Sequence, residues 1–245
     1  DALSRKMYSF LIIRDRDVEH KCDGYIATGL LKNEIYEMHE YAKKRSRPLV
    51  LFGHTELPEI SCVDVDNIEG TKEITMHLLD KGHRKIAMIN VDEDKDYTID
   101  RFLGYKEALE SVGESLDQNI IVNTINSEMG GFIAMQKLLA VDAFTSVLCA
   151  TDTIALGAIR AIVEAGKRVP DDISVAGFDG LGHHLLTNPH ITTVQQPIFE
   201  IGRLLAESLI DRIMGNKTPK NQIVKPTLII GKSVNNYSSK CEEAH

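Results

Sequence analysis

Short apolar runs and amphipathic helical stretches alternate along almost the whole chain, and this rhythm constrains the fold more than any overall property. Apolar runs at 8–13, 23–29, 48–53, 62–65, 85–90, 120–122, 146–150 and 173–178 read as strands. Between and after them, helices are expected at 33–45, from Asp66 or Asn67 to 79, and at 98–112, 129–140, 153–165 and 198–214, with closing strands at 223–224 and 228–230. In the 153–165 helix, Ile154, Ala155, Ala158, Ile159, Ile162 and Val163 fall on one face. Strands this apolar are buried on both sides. Their alternation with helices predicts an α/β protein of parallel sheets sandwiched by helices.

At 245 residues the chain can form one large or two modest domains. One spacing resists the rhythm. Only nine residues, 14–22, separate the first two strands, fewer than the dozen or so a parallel crossover requires. Either those strands are not parallel neighbours, or residues are omitted there.

A carboxylate marks the expected site. Asp179 follows the 173–178 strand directly, with glycines at 177, 180 and 182 around it. In open α/β sheets, ligands bind beyond the carboxyl ends of the strands. Other classes are excluded more easily. A net charge of −8 argues against this segment itself gripping a polyphosphate backbone. Four dispersed cysteines (22, 62, 149 and 241), with Cys149 inside an apolar run, point to reduced thiols and a cytoplasmic location. No leader-like segment and no run of eighteen apolar residues occurs, so secretion and membrane spanning are not expected. His183-His184 projects its rings to different sides with no third ligand nearby, which reads as surface polarity rather than a metal site. No phosphate-binding glycine loop or nucleophile–base set appears, so neither catalysis nor a cofactor is expected.

An ordered set of fragments carries a resemblance. They are Val65-Asp66-Asn67 with Gly70, His77-Leu78, Gly82-His83-Arg84-Lys85-Ile86-Ala87 and Arg101-Phe102-Leu103-Gly104-Tyr105. Then come Asp152 with Ala155-Leu156-Gly157-Ala158, the run from Val169-Pro170 to Val175, Gly177-Phe178-Asp179, and Thr192-Thr193-Val194-Gln195-Gln196-Pro197. Residues 63–234 thereby resemble the effector-binding domain of the lac repressor (LacI/GalR) family of bacterial transcription regulators. The resemblance implies a two-lobed, periplasmic-binding-protein-like fold, each lobe a parallel sheet flanked by helices. It assigns 1–64 and 196–224 to an incomplete N-terminal lobe, 65–195 and 225–234 to a C-terminal lobe, and 235–245 to a tail. Strand crossings are expected near 65–66, 194–197 and 224–227, with a small effector between the lobes. It further implies a homodimer and operator DNA bound through a helix-turn-helix headpiece preceding this chain.

The resemblance also supplies roles. Read alone, Arg101 is a solvated helix-start arginine; its family counterpart donates hydrogen bonds to effector hydroxyls or carbonyls, which suits a forked guanidinium. Asp179 would accept from ligand hydroxyl or ring N–H groups, or else cap a turn. Thr151 and Asp152 are both good helix caps. The family carries Asn-Asp there, so Thr151 exchanges an amide for a hydroxyl. Gln196 reads as a pocket amide or a structural bridge. Asn126 stands where several members place a stacking aromatic, leaving Tyr97 or Phe178 to compensate. Donors on Arg101, acceptors on Asp179 and both on Gln196 suit a neutral polyhydroxylated ligand of the sugar class, with Asp179 and Asp152 repelling an anion. The rival reading is a periplasmic-type sugar-binding protein of a transport system, and an enzyme comes third.

Overall fold

The computed structural model describes residues 21–237 apart from 93, 142, 143 and 217. The strand expected at 8–13, most of the 14–22 link, Cys241 and the segment from 238 onward lie outside the described residues. The chain divides into two compact units. Unit 1 comprises Asp1–Val65, Asp94–Asp96 and Pro197–Val224, and unit 2 comprises Asp66–Glu93, Tyr97–Gln196 and Lys225–His245.

Unit 1 is a four-stranded parallel sheet built from β1 (Tyr25–Thr28), β2 (Leu49–Phe52), β3 (Ser61–Val65) and β9 (Asn221–Val224), in the order β1-β2-β3-β9. Helix α1 (Lys32–Lys44) places Ile35 and Ala42 in a cluster with Tyr25, Leu49, Leu51 and Cys62. Because strand side chains alternate, Val50 and Val63 face the other side, where both are wholly buried. Helix α6 (Ile198–Ile213) packs on β1, β2 and β3 and buries Ile201, Leu205 and Leu209, the i, i+4 row legible in the sequence.

Unit 2 has six strands in the order β10-β8-β7-β6-β4-β5. These are β4 (Ile86–Val91), β5 (Ile121–Thr124), β6 (Ser146–Cys149), β7 (Ser174–Asp179), β8 (Thr192–Gln195) and β10 (Thr227–Ile229). One face is covered by α4 (Glu128–Leu139) and α5 (Asp152–Glu164), whose Met135, Leu138, Ile154, Ala158 and Ile162 close over Ala87, Ile89, Val147, Cys149 and Val175. On the opposite register lie Met88, Leu148 and Phe178, with Ile74 and Leu78 of α2 (Asn67–Asp80) and Tyr105 of α3 (Asp96–Ser111) also buried. Tyr105 satisfies its hydroxyl by donating to the carbonyl of Ile86. Among the described residues no helix is long and apolar enough to cross a membrane.

Two details differ from the sequence reading. β10 runs antiparallel to β8, pairing Thr227 with Gln195. After two linking residues beyond β9 the chain comes to lie opposite Gln195, the last residue of β8, and from there β10 runs back along that strand to Ile229 opposite Thr193. Val163 is exposed. It lies one residue, or about 100°, beyond Ile162 and so leaves the buried stripe of α5.

Helices α4 and α5 meet through glycines. A methyl at Gly157 would overlap the carbonyl of Glu128, and one at Gly131 the carbonyl of Ile154. Gly157→Ala should therefore cost about 1–3 kcal/mol through overpacking. Gly202 of α6 is exposed with nothing within 4 Å of an added methyl, so Gly202→Ala should gain roughly 0.5–1 kcal/mol. Urea unfolding of the two variants checks both signs.

Candidate functional site

The site is built around Arg101, on the face of α3 that also buries Thr98, Gly104, Tyr105 and Ala108. Its side chain lies under the ends of the central strands and the residue is only 4% exposed. A charge so buried needs compensation in every direction. Nε donates to Oδ1 of Asn67 at 3.0 Å. Nη1 donates to the carbonyl of Ala150, just past β6, and lies 3.2 Å from Oδ1 of Asp179 at the end of β7. The guanidinium sits 3.8 Å from the ring centroid of Phe178 and 4.8 Å from that of Tyr97, so aromatic faces supply the remaining attraction. Asn90 of β4 donates from Nδ2 to the carbonyl of Thr98 at 3.0 Å, which ties the first turn of α3 to the sheet.

Asp179 is held by its own backbone. Its φ of +114° is unusual for a residue with a side chain, a conformation that costs on the order of 1–3 kcal/mol and persists only when neighbours enforce it. Gln196 is one such neighbour. Its backbone N–H donates to the carbonyl of Asp179 at 3.0 Å, and its Nε2 donates to Oδ1 at 2.7 Å. Gly180, next in the chain, has φ of +62° and packs against Gln195 so closely that a Cβ would collide with it.

Behind Asp179 lies Asp152, with no exposed surface. Its Oδ2 accepts from the N–H of Gly180 at 2.9 Å, its Oδ1 accepts from the hydroxyl of Thr193 at 2.6 Å, and Nδ1 of His184 lies 3.8 Å from Oδ2. Burial pushes the Asp152 carboxyl up to about 7. The bonds from Thr193 and Gly180 and the charge of Arg101 pull the other way, while Asp179 adds to the rise. Desolvation wins because no exposed edge lets water share the charge. Thr151 is the N-cap of α5: its hydroxyl accepts from the N–H of Ile154 at 3.2 Å and donates to Oδ1 of Asn126 at 2.8 Å.

Of the residues singled out from the sequence, Arg101, Asp179, Gln196 and Tyr97 form one connected cluster, and Thr151 and Asn126 form an adjoining pair. Asp152 lies wholly buried behind them, its oxygens accepting from protein donors. His184 is corrected: the sequence reading left it in solvent, and the structure buries it. The 3₁₀ turn at His183–Leu185 packs on α5 and carries that ring inward. Sequence reasoning missed Asn67 and Thr193 as partners. Both stand inside motifs already noted, Val65-Asp66-Asn67 and Thr192-Thr193, and a buried amide or hydroxyl beside a buried ion was the signal available.

Residues 75–234 match the family described as "Periplasmic binding protein-like domain". The chain is 33% identical over 242 residues to the HTH-type transcriptional regulator CelR of Thermobifida fusca, covering 92% of this chain and 70% of that protein. The solved CelR–cellobiose complex superimposes with a TM-score of 0.82 at 30% identity, covering 86% of this chain and 65% of that one. A LacI family transcriptional regulator from Enterococcus faecium with bound ribose gives 0.81 at 30% identity, covering 88% and 81%. The chain belongs to the LacI family of transcriptional regulators. It spans about two thirds of the length of the CelR chain in that complex. The two-unit α/β architecture is thus that of a family whose members regulate transcription, and the transport reading gives way to it.

Asp152 gives stability a pH dependence with a definite sign. Its folded value, about 7, lies above the ordinary value of 3.8, so between those limits the folded state holds a proton that the unfolded state has lost. Stability therefore falls as pH rises from about 4 through 7, by on the order of 4 kcal/mol at most. Asp152→Asn keeps the size, accepts from Gly180, donates to Thr193 and does not titrate. Thermal unfolding at pH 5 and pH 8 should show the parent losing several degrees relative to this variant.

Proposed function

We propose that this chain is the effector-binding part of a bacterial transcription regulator, and that the cluster of Arg101, Asp179 and Gln196 in unit 2 contacts a neutral, polyhydroxylated ligand of the sugar class. The observation that carries this is the convergence of a donor-only guanidinium, an acceptor-only carboxylate and an amide of both kinds at the ends of β6 and β7. Sugar hydroxyls both donate and accept, so they can exchange with these internal bonds one for one. Tyr97, beside the guanidinium, offers a ring, and Asn126, held by Thr151 through its oxygen, offers its NH₂. The cellobiose in the CelR complex and the ribose in the Enterococcus faecium regulator are consistent with this ligand class. The regulator acts in the cytoplasm as a homodimer, with ligand binding coupled to operator affinity through a helix-turn-helix headpiece. It does no chemistry on the ligand.

Calorimetry against ribose, cellobiose and a panel of neutral sugars tests the reading, with sugar phosphates as the contrasting class. A neutral sugar should bind and the anions should not. With the sugar so found, Asp179→Asn should lose about 1.5–3 kcal/mol, because the charged acceptor is gone and Arg101 loses its counter-ion. Asp171→Asn, on an exposed ion pair with Arg168, should bind as the parent does. Equal affinity of Asp179→Asn and parent would remove Asp179 from the site.

A further inference from the structure

We propose that His184 and Asp152 form a proton-sensitive clamp on the Asp179–Gly180 turn, so that their charge state governs how firmly the Asp179 carboxylate is held in position. The inference rests on the reading of Asp179 as a ligand acceptor, but its geometry stands apart from any ligand. Asp179 adopts a backbone conformation that a side chain disfavours, and the peptide N–H that follows it, that of Gly180, ends on Oδ2 of Asp152. The same oxygen is the one His184 approaches, at 3.8 Å. One buried oxygen therefore joins a titratable ring to the strained turn.

Charged and titratable groups among the described residues also act on Asp152. Asp179 at the end of β7 adds negative charge, and Arg101 from α3 offsets it. Cys149 of β6 is held neutral by burial and by Asp152 itself. The remaining contacts, the Thr193 hydroxyl and the Gly180 N–H, are neutral donors that favour the ionised carboxylate. While Asp152 is ionised, the bond from Gly180 is charge-assisted and the turn is held. A proton on Asp152 turns one acceptor oxygen into a donor, and the bond weakens. A proton on His184 instead leaves the carboxylate charged and paired. His184 thus competes for the proton that would release the turn, and is a positioning residue acting through Asp152. Burial pushing the Asp152 carboxyl to about 7 sets the exchange near neutrality.

The test follows the Gly180 amide by ¹⁵N–¹H NMR from pH 5 to 8.5 in the ligand-free protein, so its outcome is separate from whether any sugar binds. The parent amide should titrate with a midpoint near neutrality. In Asp152→Asn that titration should vanish, which separates it from titration of the neighbouring Asp179. In His184→Gln the midpoint should rise, since Asp152 no longer has a competitor. A Gly180 amide that does not move in the parent overturns the clamp, as does a titration that survives in Asp152→Asn. A midpoint unchanged in His184→Gln removes His184 from it. Should either variant fail to fold, the ring signals of His184 in the parent provide the second measurement. They must titrate with the same midpoint as Gly180, and independent midpoints overturn the pairing.

Discussion

Burying the Arg101 guanidinium is the constraint on which the organisation of unit 2 depends. An ion taken out of water costs several kcal/mol unless its surroundings replace hydration. Here the replacement comes from four directions: Asn67 at the start of α2, the Ala150 carbonyl beyond β6, Asp179 at the end of β7, and the ring of Phe178 on the same strand. Each partner fixes the end of one element relative to α3. The polar groups at the strand ends are thus ordered by the protein itself, which on the proposed reading lowers what binding spends on ordering side chains.

A second polar layer lies beneath the first. Asp152 accepts from Gly180 and Thr193, and so connects the start of α5 to the turn after β7 and to β8. Gln196 connects the end of β8 back to Asp179. The two layers share Asp179 and the Asp179–Gly180 peptide, so the buried layer is tied to the partly exposed carboxylate by hydrogen bonds rather than through the hydrophobic core. That core, built on Val147, Val175, Ile154 and Met135, holds the strands in register, while the polar layers hold their ends.

Much of this was legible in the sequence, and the reasons are physical. The strand at Ser174–Asp179 announced itself by an apolar run ended by a carboxylate among glycines, because a doubly covered strand must be apolar and a ligand-facing end need not be. The caps at Asp66 and Thr151 were visible because few residue types satisfy free helix N–H groups. The direction of β10 was not visible, since an apolar triplet carries no record of which neighbour it meets. Nor was the burial of His184. A polar pair in a turn rich in leucine reads as solvated unless a buried carboxylate is known to lie within reach, and Asp152 is 32 residues away in the chain.

The inward turn of the Asp152 side chain has a local cause on β7. Its place at the junction of strand and helix was legible in the sequence, but the direction of its side chain was not. What decided the side chain was Gly177, where a Cβ would collide with Oδ1 of Asp152. A glycine on β7 makes room for the carboxylate to turn inward and meet Thr193. Gly177 stands in the Gly177-Phe178-Asp179 motif, so one short segment carries the acceptor, the ring under the guanidinium and the space that keeps a second acid away from the first. The cluster around Arg101 therefore holds one partly exposed carboxylate, Asp179, already balanced by the guanidinium, while Asp152 is wholly buried. On the proposed reading, selection of a neutral ligand then rests on matched donors and acceptors more than on repulsion of anions.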